Sequence, residues 1–189
     1  MDPEVTRAIL DAAVSVVAQG GFGGFTMDAV AKQAGCGKPA VYRRWDSKEA
    51  LLEDAVVEAA DARVRTPDTG SLRTDLHALL HEFIDWLGTP NGRVMVALIA
   101  EAVRDNTWSA AVTRSQRRRR EQTRVLVDRA IERGEVPEWA DADLLMDHAA
   151  APIWMQVLVW RGEVASDPDY VARLTDSALA AAGLSPISS

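Results

Sequence analysis

Apolar residues recur at spacings of three and four along almost the whole chain, and this repeat restricts the fold more than any other feature. In residues 4–19 it is carried by Ile9, Ala12, Ala13 and Val17, which would lie on one face of a helix. The alternation of apolar and polar residues that marks a half-buried strand is nearly absent. The sequence therefore predicts an all-α protein.

Glycines and capping residues divide the first part of this pattern into short helices. The glycine-rich stretch 20–24 ends the first helix, and Thr26 is placed to cap the second. Gly35 ends the second helix, and a third is expected at about 38–45. A fourth begins at Asp46 or Ser47 and continues to about Arg63.

A polar linker at residues 66–71 marks a domain boundary by composition. We therefore predict an N-terminal helix-turn-helix domain over residues 1–65 and a C-terminal helical bundle over residues 66–189. The bundle helices are expected at about 71–88, 91–104, 107–134, 141–162 and 168–183.

Basic residues are concentrated in one window, although the chain is acidic overall. The formal net charge of −7 taken alone argues against a nucleic-acid partner. All three lysines, Lys32, Lys38 and Lys48, fall within 17 residues, together with Arg43 and Arg44. That window carries +4 and the rest of the chain −11. A local surface for a polyanion is therefore possible, although a merely solvated helix face would carry the same charges.

The spacing of apolar residues in this window favours the first of these interpretations. Gly35 lies where a positive φ would let the chain reverse within three or four residues. Met27, Val41 and Trp45 can be buried, which leaves small and basic residues exposed on the helix expected at 38–45. A helix with such a side fits the DNA major groove. The pattern therefore predicts a DNA-binding helix-turn-helix.

A resemblance to a known family is carried by residues 21–52, which read GFGGFTMDAVAKQAGCGKPAVYRRWDSKEALL. This run resembles the DNA-binding domain of TetR-type bacterial transcriptional regulators: Gly-Phe, a Thr-capped helix, Ala-Gly, a recognition helix with Tyr and an aromatic, then Ser-Lys-Glu-x-Leu. The resemblance implies a ligand-responsive repressor that binds a pseudo-palindromic operator on double-stranded DNA as a homodimer.

The same resemblance implies which residues contact DNA. Contacts from the recognition helix are implied for Lys38, Pro39, Ala40, Tyr42 and Arg43. Phosphate contacts are implied for Thr26, Tyr42, Arg44 and Lys48. One position departs from the family pattern, because Gly37 stands where the family often has a Ser or Thr cap and offers no hydroxyl.

The larger helical part is expected to hold a small-molecule effector and the dimer interface. Five of the six tryptophans lie there, and aromatic-lined cavities suit flat apolar or cationic ligands. The candidate pocket residues are Phe83, Trp86, Met95, Ile99, Trp108 and Met155. Each of these could equally be an ordinary core residue.

Residues 141–162 are apolar on nearly every side, so that helix must be buried on more than one face. With the last helix it could form a four-helix interface across a two-fold axis. The candidate interface residues are Leu145, Ala149, Ile153, Val157, Leu174 and Ala178. A buried central helix in a monomer is the alternative.

The run Arg117–Arg120 is the most basic in the chain. Four consecutive helical residues point around the whole circumference, and nearby acids such as Glu121 offer partners. A solvated or ion-paired helix surface is the expected role, with pocket, interface or DNA contact as alternatives.

One cysteine and three histidines exclude a disulfide framework and a Cys-rich zinc module. We therefore expect no enzymatic activity, no metal and no cofactor. Because no uncharged apolar run reaches 18 residues, we also expect a soluble, cytoplasmic protein without a membrane span. The remaining alternatives are a helical protein-interaction module without DNA affinity and an all-α enzyme acting in the bundle cavity.

Overall fold

The computed structural model describes residues 2–61, 66–104, 109–160 and 169–184. All regular structure in these ranges is helical, so the predicted all-α class is confirmed. Among the described helices, none combines the length and the apolar character needed to cross a membrane. The helices are α1 (Pro3–Gly20), α2 (Met27–Gln33), α3 (Lys38–Tyr42), α4 (Lys48–Asp61), α5 (Leu72–Leu87), α6 (Pro90–Arg104), α7 (Ser109–Glu132), α8 (Ala142–Met155) and α9 (Tyr170–Ala181). A 3-10 turn covers Phe22–Gly24, and a π-helical turn, Gln156–Trp160, follows α8.

Helix ends coincide with local signals in the sequence. Asp2 caps α1 by accepting a hydrogen bond from the backbone N–H of Glu4 at 3.0 Å, which satisfies one of the free amides of the first turn. Ser47, one of the two residues expected to begin α4, accepts from the N–H of Ala50 at 3.1 Å. These caps fix where the helices begin.

The first of two compact units contains Met1–Arg63 together with Leu87–Ser115. Within it, α1 packs against α2, α4 and α6. Its fully buried residues include Ile9, Ala13, Val30, Leu51 and Leu98, and the ring of Phe25 is buried with them. Helix α6 belongs here because its apolar face is covered by α1 and α4, so this unit extends beyond the contiguous N-terminal segment.

The second unit contains Val64–Trp86 and Gln116–Ser189. Within it α8 packs against α9. Its core includes the aliphatic residues Leu76, Leu126, Leu145 and Ile153 and the aromatic residues Phe83 and Trp86. Helix α7 contributes its beginning to the first unit and its longer remainder to the second.

Candidate nucleic-acid interface

Helix α2 and the turn after it present the next helix in a fixed orientation. Thr26 caps α2, its Oγ1 accepting from the N–H of Ala29 at 3.1 Å. Gly35 adopts φ +65°, a left-handed conformation that costs a residue with a Cβ about 1–2 kcal/mol. The N–H of Cys36 then bonds back to the carbonyl of Ala31 at 3.1 Å. The turn is therefore closed by the backbone itself.

Helix α3 is anchored by its apolar residues. Val41 and Trp45 are buried, and the indole Nε1 of Trp45 donates to Asp54 Oδ2 in α4 at 2.9 Å. Gly37 precedes α3 without a side-chain cap, as the sequence implied. Helix α3 ends at Tyr42, three residues earlier than predicted, although the N–H of Trp45 still bonds to the carbonyl of Val41 at 3.1 Å.

The opposite side of α3 faces solvent, and we call its five residues the recognition face: Lys38, Pro39, Ala40, Tyr42 and Arg43. Four of them are exposed, and Ala40 is half-buried. Tyr42 keeps 52% of its surface exposed, so its hydroxyl is accessible. The structure thus brings all five predicted recognition-helix residues together on one small, basic surface.

Lys38 makes an ion pair at the edge of the recognition face. Its Nζ donates to Oδ2 of Asp28 in the first turn of α2. The hydrogen bond to the Asp28 carboxylate, followed by the charge of that carboxylate, raises the pKa of Lys38. The pair is exposed, so it competes with water and with any incoming anion.

Arg44 is bound to its own protein rather than left free at the surface. Its Nε donates to Thr6 Oγ1 at 3.0 Å and its Nη1 to the carbonyl of Ala40 at 2.8 Å. A longer contact of 3.5 Å reaches the carbonyl of Asp2. Arg44 therefore ties the end of α3 to the first turn of α1, a role that its predicted phosphate contact did not include.

Thr26 and Lys48 lie at the N-termini of α2 and α4. Free N–H groups and the positive end of the helix dipole favour anions at such positions. Thr26 is exposed and Lys48 half-buried. Both are therefore where a phosphate could be met, while the recognition face carries the groups that read base edges.

The predicted effector residues are distributed over both compact units. Phe83 and Trp86 lie together in the second unit, with ring centroids 6.2 Å apart. Met95 is buried and Ile99 half-buried in the first unit, and Met155 is exposed in the second. Trp108 lies outside the described residues.

Two residues that were not among the candidates complete the Phe83 cluster. Trp154 meets the Phe83 ring edge-on at 5.5 Å. Arg119 lies over the Phe83 ring, with its guanidinium carbon 3.9 Å from the ring centroid. We call these four residues, Phe83, Trp86, Arg119 and Trp154, the aromatic–arginine cluster. The expectation of a solvated or ion-paired surface therefore does not describe Arg119.

The candidate dimer residues are mostly covered within their own protomer. The buried ones are Leu145, Ala149, Ile153, Leu174 and Ala178, while Val157 is half-buried. They lie on α8, on the turn after it and on α9, and α8 and α9 pack against each other within the second unit. Apolar residues on the other side of the same segment remain exposed: Leu144, Met155, Leu158, Val159 and Trp160.

A buried apolar anchor, a closed glycine turn and an exposed basic helix together define a DNA-binding helix-turn-helix protein. Residues 9–55 match the family model described as bacterial regulatory proteins, tetR family, and residues 66–178 match the tetracyclin repressor-like C-terminal domain. The chain belongs to the TetR family and is a DNA-binding transcriptional regulator. Members of this family bind DNA and typically dimerise.

Similar proteins support this assignment along nearly the whole chain. The HTH-type transcriptional regulator YdeS of Bacillus subtilis is 30% identical over 94% of this chain and 89% of its own length. The DNA-binding transcriptional repressor TetR of Mycobacteroides abscessus is 31% identical over 92% and 91%. The crystal structure of the TetR family regulator SCO0332 superposes with a TM-score of 0.75 at 28% identity, covering 97% of this chain and 100% of that one.

Proposed function

We propose that the chain is a homodimeric repressor that leaves its operator when a small molecule binds the helical bundle. In this proposal residues 1–65 bind DNA, and residues 66–189 bind the effector and the second subunit. The recognition face enters the major groove, and Thr26, Tyr42, Arg44 and Lys48 hold phosphates on either side.

The observation that carries this proposal is the asymmetry of α3. Val41 and Trp45 hold one side in the core, whereas Lys38, Tyr42 and Arg43 are exposed on the other. A helix with that asymmetry can approach a base edge without disturbing its own packing. The acidic charge on the rest of the chain would disfavour other docking orientations.

The test is a gel shift on DNA flanking the protein's own gene, with a double variant Lys38→Ala/Arg43→Ala. Loss of the shift is expected, because base-edge and phosphate contacts are removed together. The charge-matched control Arg117→Ala/Arg124→Ala removes two arginines from the second unit and should keep the shift. Retention of specific binding by the Lys38/Arg43 variant would refute the assignment of the recognition face.

The dimer proposal is supported by the exposed apolar residues Leu144, Met155, Leu158, Val159 and Trp160. Exposed large apolar side chains that form a patch mark protein–protein interfaces, and a two-fold axis would cover two copies of such a patch at once. Leu158→Glu is expected to produce monomers in sedimentation velocity, whereas Ser177→Glu on the exposed side of α9 serves as a surface-charge control. A Leu158→Glu protein that stays dimeric would contradict this placement of the interface.

A further inference from the structure

The aromatic–arginine cluster contains a cation for which the described residues supply no carboxylate. Arg119 is buried, with 8% of its surface exposed. Its guanidinium carbon is 3.9 Å from the Phe83 centroid and 5.8 Å from that of Trp86. Trp154, edge-on to Phe83, belongs to the same cluster. This group lies inside the second unit, on α5, α7 and α8.

Two neighbouring arginines on α7 have carboxylate partners. Arg120 pairs with Asp147 and Asp143, and Arg124 donates to Asp143 Oδ2 at 2.6 Å. Within the part of the chain that the structure describes, Arg119 has neither a carboxylate partner nor an acceptor for its guanidinium N–H groups. Burial alone lowers the pKa of Arg119 to about 10, which leaves it protonated at neutral pH.

The contacts with aromatic rings stabilise the Arg119 cation only in part. A guanidinium over a ring face is stabilised by the ring quadrupole, but the five N–H donors lie in the guanidinium plane and need acceptors. A buried cation without a counter-ion is unfavourable. An anion supplied by a bound ligand would therefore stabilise Arg119, whereas Arg120 and Arg124 on the same helix already have carboxylate partners.

We propose that Arg119 recognises a carboxylate on the effector, and that the effector is an apolar or aromatic acid rather than a neutral or cationic compound. The planar guanidinium matches a carboxylate with two parallel N–H···O bonds, and the apolar body would lie against Phe83, Trp86 and Trp154. This inference rests on the proposed function, since it names the chemical class of the bundle's ligand. Of the flat apolar or cationic ligands expected from the sequence, it keeps the apolar body and replaces the positive charge with a negative one.

Another surface in the same unit is less suited to this role. A cleft of about 410 Å³ is lined by Leu72, Arg73, Glu135 and Leu179 among others. Its arginine is already neutralised, because Arg73 Nε donates to Asp176 Oδ1 at 2.7 Å. Glu135 adds a negative charge to its wall. An anionic ligand therefore gains less in this cleft than beside Arg119.

Matched probes isolate the carboxylate from the apolar body. We would titrate the full-length protein with 2-naphthoate and 2-naphthamide, and with decanoate and decanamide, at constant ionic strength. Binding is read from tryptophan fluorescence and from the shift in Tm, so neither measurement requires DNA. We expect the acid of at least one pair to bind ten or more times more tightly than its amide.

Two variants assign this preference to a residue. Arg119→Met keeps an unbranched apolar stem and removes the guanidinium with its charge, and it should abolish the discrimination between acid and amide. Arg124→Gln, the control on the same helix, removes an ion-paired arginine and should retain it. Arg119→Met should also unfold at the same Tm as the wild type or a higher one, because an unpaired buried charge is lost.

Several outcomes would overturn the proposal. These are equal responses to acid and amide in the wild-type protein (including no response to either pair), a preference that survives in Arg119→Met, or a preference lost in Arg124→Gln. A Tm for Arg119→Met several degrees below that of the wild type would assign Arg119 to packing instead. Absence of DNA binding by the wild-type protein would contradict the proposed function while leaving a measured acid preference standing, so the two failures are distinguishable.

Discussion

The hydrogen bond from Arg44 to Thr6 is expected to control how firmly the recognition helix is held. It joins residues 38 positions apart, the last turn of α3 and the first of α1, with Nε and Oγ1 at 3.0 Å. Thr6 is not among the proposed DNA contacts. Thr6→Val therefore tests positioning without removing a group that DNA would touch.

The structure allows the effect to be estimated. Arg44 makes two short hydrogen bonds, to Thr6 and to the carbonyl of Ala40 at 2.8 Å; the 3.5 Å contact with Asp2 is too long to add much. Charge-assisted bonds contribute about 1.5–3 kcal/mol each, and the partial exposure of Arg44 favours the lower end. Arg44→Met should therefore lower the free energy of unfolding by about 3 kcal/mol, and Thr6→Val by about half as much.

For a chain of this length each kcal/mol corresponds to about 2–4 °C in Tm. We expect Thr6→Val to lower Tm by about 3–6 °C, with Thr6→Ser as the control that keeps the hydroxyl. A double-mutant cycle with Arg44→Met should give a coupling free energy of about 1 kcal/mol. Additive effects of the two substitutions would show that the hydrogen bond does not stabilise the protein.

Measurements of DNA affinity test whether the same hydrogen bond also affects function. Thr6→Val should weaken binding to a selected operator site severalfold, with no change in the slope of log K against log salt concentration, because no phosphate contact is lost. A phosphate contact by Arg44 itself would make the slope of Arg44→Met shallower by about 0.9. Unchanged Tm and unchanged DNA affinity in Thr6→Val would refute the positioning role.

Three further substitutions test other parts of the structure. Asp28→Asn should free Lys38 from its ion pair and tighten DNA binding, with a steeper salt slope in fluorescence anisotropy; an effect no larger than that of Asp11→Asn, which removes the same charge from α1, would contradict this. Gly35→Ala forces a Cβ onto φ +65° and should cost about 1–2 kcal/mol of stability in urea unfolding; Gly23→Ala, at an unstrained position, should cost less. Asp141→Ala removes the cap of α8, which accepts from the N–H groups of Asp143 and Leu144 at 2.9 and 3.0 Å; it should lower Tm by about 2–4 °C, whereas Asp141→Asn should not.

Helix positions could be predicted from the sequence because the signals that begin and end a helix are local. Thr26 and Gly35 act within their own turns, and each lies where the pattern placed it. Helix α3 is one of those predicted too long: it ends at Tyr42, and Trp45, beyond its end, donates its indole N–H to Asp54 in α4. A periodicity within ten residues contains no information about that partner.

The recognition face was likewise predictable, since the resemblance to TetR-type regulators implied its five residues, and they lie on α3 or directly after it, four of them exposed. The contacts around it were not. Asp28 and Lys38 are ten residues apart on different helices, and Thr6 and Arg44 are 38 apart. Charge and spacing indicated only that Lys38 and Arg44 are basic residues of this window. Only the packing of α1 and α2 against α3 shows which of them are already engaged.

The arginines at 117–120 show why a charge count could not find the proposed effector group. Adjacent positions on a helix point about 100° apart, so neighbouring residues meet different surroundings. Arg120 pairs with Asp147, whereas Arg119 lies under the Phe83 ring. A charge count treats these arginines alike, although Arg120 is neutralised by an ion pair with Asp147 and Arg119 is buried beside aromatic rings. A net charge of −7 thus coexists with two separate candidate sites for anions. The recognition face would bind the phosphates of DNA, and Arg119 would bind the carboxylate of the effector that we propose releases the protein from DNA.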